Sequence, residues 1–281
     1  MRVDFRTLAA ALVTGAVLAL PTAAAIHPVT GRSLAEDRAF TYRSEEVGSA
    51  DPQLAQDVAS TEIISDLFEG LTNQDADGNL DPGFALGFEV GNGKDDYTFA
   101  LRSDARWSNG DPVTAGDFVY SGQRGVAPAP GSPYPWFFEL MSVENAHEII
   151  SGEMPASMLS VLANDDHTLE VRLPAPLPHF PQMTVHAATF PVNRTTVGAH
   201  GDEWISPEDI VSNGACVLTE HRPDERSVRE RNPMCWNNHR TMIERVVAVF
   251  IKDKDVALAR NLSGELDKSE IPVGQFPRLR R

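Results

Sequence analysis

Apolar and polar residues alternate along several short stretches of the chain, which is the pattern of strands with one buried face. The clearest stretch is residues 97–101, where Tyr, Phe and Leu alternate with Thr and Ala. Residues 167–173 show the same alternation, and residues 215–221 and 227–231 predict a hairpin. Residues 243–251 contain an unbroken apolar run instead, which predicts a strand covered on both faces.

Other stretches carry the signals of helices. Residues 63–71 have apolar side chains three and four positions apart, so they predict an amphipathic helix that packs one face onto a core. Thr114 followed by Asp117 predicts a helix start, because these side chains can bond the free backbone N–H groups of a first turn. A helix over residues 255–262 is expected to end at Gly264, since glycine tolerates a positive φ.

This mixture of strand and helix patterns favours a mixed α/β fold. Prolines break the pattern over residues 174–181, and proline, glycine and alanine dominate residues 125–135, so both stretches are predicted to be irregular. Residues 75–78 read Asp-Ala-Asp-Gly and begin like a calcium-binding loop, but no bidentate glutamate follows at the required spacing. A hairpin turn is therefore predicted there.

The first residues have the layout of a secretory signal peptide. Arg2 and Arg6 precede an uncharged apolar stretch over residues 8–20, and three alanines ending at Ala25 suit cleavage after that residue. A membrane anchor is the alternative, but the apolar stretch is too short to span a bilayer comfortably. The sequence therefore predicts that residues 1–25 are a signal peptide and that the rest of the chain is secreted.

Composition narrows the classes of partner. The 281 residues carry a formal net charge of −16 at pH 7, and an acidic surface repels nucleic acid and anionic membranes, so neither is expected as a partner. No nucleophile beside a base and no phosphate loop is recognisable, so we expect no enzymatic activity and no cofactor. His179 and His186 lack further ligands at metal spacing. Asp165 and Asp166 would suit an acidic hydrolase, but adjacent side chains usually point apart.

One long run and several shorter ones carry a family resemblance. The long run is Leu101-Arg-Ser-Asp-Ala-Arg-Trp-Ser-Asn-Gly-Asp-Pro-Val-Thr-Ala-Gly-Asp-Phe-Val-Tyr-Ser121. The shorter runs, in the family's order, are Asp66-Leu-Phe-Glu-Gly-Leu71, Ser132-Pro-Tyr134, Asp165-Asp-His-Thr-Leu-Glu-Val171, Asn213-Gly-Ala215, Trp236-Asn-Asn238 and Gly264-Glu-Leu-Asp267. In these residues the chain resembles the periplasmic oligopeptide-binding proteins, which are the solute receptors of peptide ABC importers.

The resemblance implies a mixed α/β, two-lobed clamshell of the peptide-binding type, truncated before a third lobe. After the signal peptide, residues 26–71 and 193–281 would form lobe I, and residues 72–192 would form the small α/β lobe II. The missing lobe would supply the opposite jaw of the cleft, so weak peptide binding is expected. Ser65 departs from the pattern, because close relatives carry an arginine there.

The resemblance also implies ligand-binding residues. In the family, the segment that matches Gln56, Asp57 and Val58 lies along the ligand as an added strand, and such backbone pairing suits a receptor for many peptide sequences. Without the family, these residues would be predicted as an ordinary loop before a helix. Tyr134 matches a family tyrosine that faces the ligand cleft, and a buried packing role is the alternative.

The function that the resemblance implies is that of a substrate-binding protein. It would be a monomer in the periplasm, it would catalyse no reaction, and it would deliver oligopeptides to the membrane permease of an ABC importer. A murein-peptide receptor or another solute receptor of the same family is one alternative. An interaction protein that no longer captures ligand is the other.

Cys216 and Cys235 are the two cysteines of a chain that we predict to enter an oxidising compartment. A bridge between them would close a loop of about 20 residues and would stabilise the fold by about 3 kcal/mol in the chain-entropy model. The predicted hairpin places Cys216 nearer Arg231 than Cys235, so the two sulfurs need not meet. The pair is a candidate disulfide, and the sequence leaves both states open.

Overall fold

The computed structural model describes residues 26–27, 30–75, 77–93, 95–127 and 131–280. Its contacts divide the chain into two units, Met1–Asp37 and Arg38–Arg281. In the first unit, Ile26 forms an isolated antiparallel bridge with Ser33. The predicted signal peptide, residues 1–25, lies outside the described residues.

The second unit contains the regular secondary structure. Its strands are β1 (Ala39–Ser44), β2 (Thr72–Gln74), β3 (Leu80–Pro82), β4 (Ala85–Val90), β5 (Asp96–Leu101), β6 (Val161–Asp165), β7 (Thr168–Arg172), β8 (Cys216–Arg222), β9 (Arg226–Arg231) and β10 (Arg245–Phe250). Its helices are α1 (Val58–Leu67), α2 (Ala115–Val126), α3 (Pro135–Leu140), α4 (Ala146–Ile150), α5 (Phe180–Met183), α6 (Arg194–His200), α7 (Lys254–Leu262) and α8 (Phe276–Leu279).

One sheet has the strand order β1-β10-β9-β8. β8 and β9 form the hairpin that the sequence predicts. β10 is antiparallel to β9, and β1 lies parallel to β10 on the other side, with Tyr42 opposite Ala248. The prediction that β10 is covered on both faces is only partly right: Val246 and Ala248 are buried, whereas Val247 and Val249 on the opposite face are half-buried.

A second sheet has the order β4-β5-β7-β6, and all of its neighbours are antiparallel. Tyr97, Phe99 and Leu101 of β5 are buried, which confirms the alternation read from the sequence. β2 and β3 form a separate small hairpin whose turn contains Gly78 at φ 83°, so the predicted turn over residues 75–78 is confirmed.

Helix α2 begins where the Thr114 and Asp117 pattern predicts. The Asp117 carboxylate accepts hydrogen bonds from the Thr114 backbone N–H at 2.8 Å and from the Thr114 hydroxyl at 3.1 Å. The preceding turn contains Gly110 at φ 92°, a conformation in which a side chain would be strained. This corner directs α2 away from β5, so that α2 can pack against the second sheet.

Helix α1 begins and ends earlier than residues 63–71, the range predicted for it. It begins after Asp57, whose side chain caps the first turn, and it ends at Leu67 because Phe68 has extended φ and ψ angles of −129° and 155°. The Leu67 carbonyl accepts the backbone N–H groups of Asn213 and Gly214 at 3.2 and 2.8 Å. The last turn of α1 is therefore fixed to a loop from a distant part of the chain.

Three of the short runs that resemble the family meet in one partly buried network. The Glu69 carboxylate accepts hydrogen bonds from the indole N–H of Trp236 and from the side-chain amide of Asn73. The Asn213 side chain bonds both the backbone N–H and the carbonyl of Glu69, each at 3.1 Å. The Arg102 guanidinium lies 3.3 Å from the centre of the Trp236 ring. These motif residues therefore hold the fold together.

The irregular stretch predicted over residues 174–181 ends at residue 179, two residues earlier than predicted. Helix α5 begins at Phe180, with Pro181 in its first turn, where a proline loses no helical hydrogen bond.

The division into lobes I and II stays a prediction. Among the described residues, no helix is both long enough and apolar enough to cross a membrane.

Candidate functional site

A groove of about 690 Å³ lies between α1 and the sheet that contains β1 and β10. Its walls and floor include Tyr42, Gln56, Asp57, Val58, Asp66 and Ile243. A second cavity of about 490 Å³ is also lined by residues 56–58, which therefore border both spaces. Of the ligand-binding residues predicted from the sequence, the structure places Gln56, Asp57 and Val58 at this groove.

The segment before α1 exposes unpaired backbone groups. Asp57 has extended angles, φ −110° and ψ 161°, and its carboxylate accepts the backbone N–H of Ser60 at 2.7 Å and the Ser60 hydroxyl at 2.6 Å. Within the described residues, neither the N–H and C=O groups of Gln56 nor the N–H group of Asp57 has a hydrogen-bond partner. Gln56, Asp57 and Val58 are all exposed, so these groups can meet a ligand.

Tyr134 supports this segment from the other side. Its hydroxyl donates to the carbonyl of Ala55, the residue before Gln56, and its ring lies edge-on to His186 with the ring centres 5.1 Å apart. Burial lowers the pKa of His186, which keeps this imidazole neutral. The Ser132 hydroxyl donates to the Gln53 carbonyl at 2.8 Å in the same way. The structure thus gives Tyr134 an internal hydrogen bond beside the groove segment.

Arg124 of α2 anchors the start of the same segment. Its guanidinium meets both carboxylate oxygens of Asp51, one of them at 2.9 Å, and also donates to the side-chain oxygen of Gln53. The Trp204 indole donates to Asp51 at 3.2 Å, and the Gln53 amide donates to the Phe190 carbonyl at 3.0 Å. Residues 51–55 are therefore fixed by contacts, and the free backbone groups begin at Gln56.

The floor of the groove contains buried charge. The Arg229 side chain is fully buried; it donates to the Tyr42 hydroxyl at 3.0 Å, and its Nε lies 3.4 Å from the Asp66 carboxylate. Burial raises the pKa of Asp66, and Arg229 acts against that rise. Lys268 pairs with Glu62 at 3.3 Å beside the same groove. One ion pair therefore lies at the floor and a second, more exposed pair lies beside it, both near the Tyr42 phenol.

The sequence interpretation missed Arg124 and Arg229. Arg124 lies in the last turn of α2. An arginine at such a position is usually exposed to solvent and interacts favourably with the helix dipole. Period-two counting through residues 227–231 places Arg229 on the same strand face as Ser227 and Arg231, opposite the face of Val228, so the sequence pattern predicts a solvent-exposed arginine. Its burial depends on contacts with Tyr42 and Asp66, which lie on other elements.

The cysteine bridge considered above is not formed, because both Cys216 and Cys235 are free and buried thiols. Cys216 pairs with Arg231 across the β8–β9 ladder, as the predicted hairpin implied. Burial raises the pKa of Cys216 to about 12 and also raises the pKa of Cys235. Cys216 lines the groove, whereas Cys235 lies near the Glu69 network.

The other candidate chemistries have structural explanations in the described part of the chain. Asp165 accepts hydrogen bonds from the His167 backbone N–H at 2.8 Å and from the Thr168 hydroxyl at 3.0 Å, so it stabilises a turn. The Asp166 carbonyl accepts the Ala115 N–H at the start of α2. Among the described residues, no group of three His, Cys, Asp or Glu side chains could hold a metal ion.

Comparison with known proteins gives matches along most of the chain. Residues 79–281 match the family model of bacterial extracellular solute-binding proteins, family 5 Middle. The chain is 40% identical over 279 residues to the periplasmic oligopeptide-binding protein OppA of Escherichia coli (strain K12), a match that covers 98% of this chain and 51% of that protein.

Two solved structures resemble the fold closely. The Escherichia coli murein tripeptide binding protein MppA has a TM-score of 0.85 and 38% identity, covering 88% of this chain and 48% of its own. Haemophilus influenzae OppA in complex with RPPGFSPFR has a TM-score of 0.85 and 36% identity, and the match covers 88% of this chain and 49% of that protein's chain. The chain spans about half the length of the curated relatives it matches.

Proposed function

The chain belongs to family 5 of the bacterial extracellular solute-binding proteins, and from this premise we propose that it binds oligopeptides in the groove beside α1. We further propose that it acts in the periplasm, catalyses no reaction, and passes its ligand to the membrane permease of a peptide ABC importer. The relatives described as periplasmic oligopeptide-binding proteins support the location and the ligand class.

One observation carries the proposal: an extended backbone segment with unpaired groups stands at the groove wall. Every peptide offers backbone N–H and C=O groups, so pairing with Gln56 and Asp57 would bind many sequences. Arg124, Tyr134 and Ser132 hold the preceding residues in place, so little backbone freedom is lost when a ligand binds. Such preorganisation favours binding without any reactive group.

The ionisable side chains around the groove are consistent with binding rather than catalysis. Arg229 and Asp66 face each other, as do Lys268 and Glu62, so these charges are already paired. The carboxylate of Asp57 is used by the first turn of α1. The groups left to bind a ligand are mainly the unpaired backbone groups of Gln56 and Asp57. Each hydrogen bond from such a group contributes about 0.5–1.5 kcal/mol to the free energy of binding.

The test is a calorimetric titration with tetra-alanine and with a mixed pool of tri- to pentapeptides, extended to millimolar peptide. Gln56→Pro removes one backbone donor, and Gln56→Ala is the matched control because it removes the side chain and keeps that donor. We expect wild type and Gln56→Ala to bind alike and Gln56→Pro to bind about tenfold more weakly. Equal binding by both variants, or no binding by wild type, would contradict the proposal.

The resemblance to MppA supports a second candidate ligand class. That protein is described as a murein tripeptide binding protein, and its structure matches this fold as well as that of the oligopeptide receptor. The same titration with murein tripeptide separates the two readings. Tighter binding of murein tripeptide than of every peptide in the pool would replace the oligopeptide proposal.

A further inference from the structure

Arg229 lies fully buried beneath the floor of the groove. It extends from β9, where it is opposite Val246 of β10, and its Nη2 donates to the Tyr42 hydroxyl at 3.0 Å. Its Nε lies near Asp66, and within the described residues neither Nε nor Nη1 has a hydrogen-bond partner of good geometry. A buried guanidinium is costly unless it is paired, so its position imposes a strong constraint on its neighbours.

The contact with Arg229 fixes the direction of the Tyr42 hydroxyl. A guanidinium has five donors and no acceptor, so the Tyr42 oxygen must accept and its own proton must point elsewhere. Among the described residues, no acceptor for that proton is found. Tyr42 is only 5% exposed, yet it lines the groove. Burial raises the pKa of Tyr42, so the proton is retained at neutral pH.

We propose that the Tyr42 hydroxyl donates a hydrogen bond to a backbone carbonyl of the bound peptide, and that Arg229 acts as the positioning residue for this donor. The inference rests on the proposed function, since it assigns a further ligand contact within the same groove. It adds a side-chain donor to a site in which Gln56 and Asp57 supply backbone groups.

The charges around Tyr42 select a neutral acceptor. Glu62 and Asp66 lie on the groove side of α1, and both act on the Tyr42 phenol electrostatically. Arg229 and Lys268 offset these two negative charges, so a ligand carboxylate placed at the hydroxyl would lose its hydration without meeting a net positive charge. The Lys268 ammonium, 5.5 Å from the centre of the Tyr42 ring, is already paired with Glu62. An amide carbonyl carries no net charge and can accept the phenolic proton.

The geometry of an extended peptide makes such a carbonyl available. Successive residues of a strand direct their backbone groups to opposite sides. If one set pairs with Gln56 and Asp57, the alternate set points away from that segment and needs another partner. Tyr42 lines the same groove on the sheet side, where it can meet the second set. A single directed donor would therefore fix which residue of the peptide lies over the floor.

The test uses tetra-alanine and its three analogues in which one amide carbonyl is replaced by a thioamide, which accepts hydrogen bonds poorly. The chain and its Tyr42→Phe variant are titrated with all four peptides. We expect one analogue to bind wild type about three- to tenfold more weakly than tetra-alanine, and we expect Tyr42→Phe to abolish that difference. If Tyr42 had a purely structural role, Tyr42→Phe would lower the stability of the protein, but the same thioamide analogue would still bind more weakly than tetra-alanine.

Two further variants address folding and positioning. Tyr42→Phe leaves the Arg229 donors without an acceptor, so the double variant Tyr42→Phe/Arg229→Met repeats the test without the buried cation. Arg229→Met alone should reduce the loss of affinity that the thioamide causes, because the Tyr42 hydroxyl is no longer oriented. Equal penalties in wild type and in both Tyr42→Phe backgrounds would overturn the inference while leaving the proposed function intact. Failure of wild type to bind any of the four peptides would overturn both.

Discussion

Arg124 and Asp51 form a buried, bidentate ion pair that joins α2 to residues 51–55, the segment that leads into the groove. The two side chains are 10% and 2% exposed, and both terminal guanidinium nitrogens face the carboxylate. Asp51 also accepts the Gln53 backbone N–H at 2.9 Å, and its carbonyl accepts the N–H groups of Leu54 and Ala55. The pair therefore organises the chain immediately before Gln56.

Replacement of Arg124 by methionine should destabilise the protein strongly. Asp51 would remain as a buried carboxylate without its cation, and breaking a buried pair in this way costs about 3–5 kcal/mol. Urea unfolding followed by circular dichroism measures the loss. Arg172→Met is the control, because Arg172 is half-exposed and its pair with Glu170 should contribute less than about 1 kcal/mol. Equal losses in the two variants would contradict the role assigned to Arg124.

Gly214→Ala should also destabilise the fold. A Cβ at this position would lie 2.7 Å from the backbone of Leu67 and Phe68, so the junction with the end of α1 would have to shift, at a cost of about 1–3 kcal/mol. Gly198→Ala is the matched control, since a Cβ in α6 would meet no atom within 4 Å. That variant should gain about 0.5–1 kcal/mol. The thermal midpoints of both proteins measure the two effects, and a tolerated Gly214→Ala would refute the close contact.

The Glu69 network should give stability a pH dependence. Burial raises the pKa of Glu69, although the hydrogen bonds from Trp236 and Asn73 oppose the rise. The contribution of Glu69 is therefore complete below its ordinary pKa of 4.5 and is lost as pH rises through the raised value. Wild type should lose stability relative to Glu69→Gln as pH rises above 4.5, as urea unfolding at each pH would show.

Glu170 provides a control of opposite sign for this measurement. Hydrogen bonds from Asn164 and Arg172 lower the pKa of Glu170, so its contribution is present above the ordinary pKa and is lost as pH falls through the lowered one. Wild type should therefore lose stability relative to Glu170→Gln on acidification. The same direction of change in both comparisons would contradict the assignment for Glu69.

Both cysteines should be free but unreactive in the native protein. Cys216 and Cys235 are 5% and 7% exposed, and burial raises the pKa of both thiols, so little reactive thiolate forms near neutral pH. Maleimide labelling under non-reducing conditions should be slow for native protein and should reach two thiols per chain after denaturation. Recovery of no thiols from denatured protein would show that the bridge forms after all.

Local patterns predicted most of the fold because local physics determines it. The alternation through Tyr97, Phe99 and Leu101 gave β5, and Thr114 with Asp117 gave the start of α2, since each signal lies within a few residues of the structure that it specifies. The end of α1 was not predictable in this way. It depends on Asn213 and Gly214, which are distant in sequence and whose backbone N–H groups donate hydrogen bonds to the Leu67 carbonyl.

The candidate site was predicted less completely than the fold. Gln56, Asp57 and Val58 were identified through the family resemblance, because no residue type marks a backbone that is left unpaired. The parts played by Arg124 and Arg229 depend on burial and on partners from other elements, which a single sequence does not show. Whether Tyr134 contacts a ligand stays a prediction, and its bond to Ala55 is compatible with the packing role that was the alternative.

The parallel pairing of β1 with β10 has a consequence for the order of folding. β1 carries Tyr42, and its partner strand and its bridge to Lys268 lie beyond residue 244, so one side of the groove exists only after a very long loop has closed. Contacts of such high sequence separation form slowly, because loop entropy is lost before they can stabilise the chain. We expect closure of this loop to limit the folding rate, so a peptide would meet a complete groove only after that step, and its binding should retard unfolding while leaving the refolding rate unchanged.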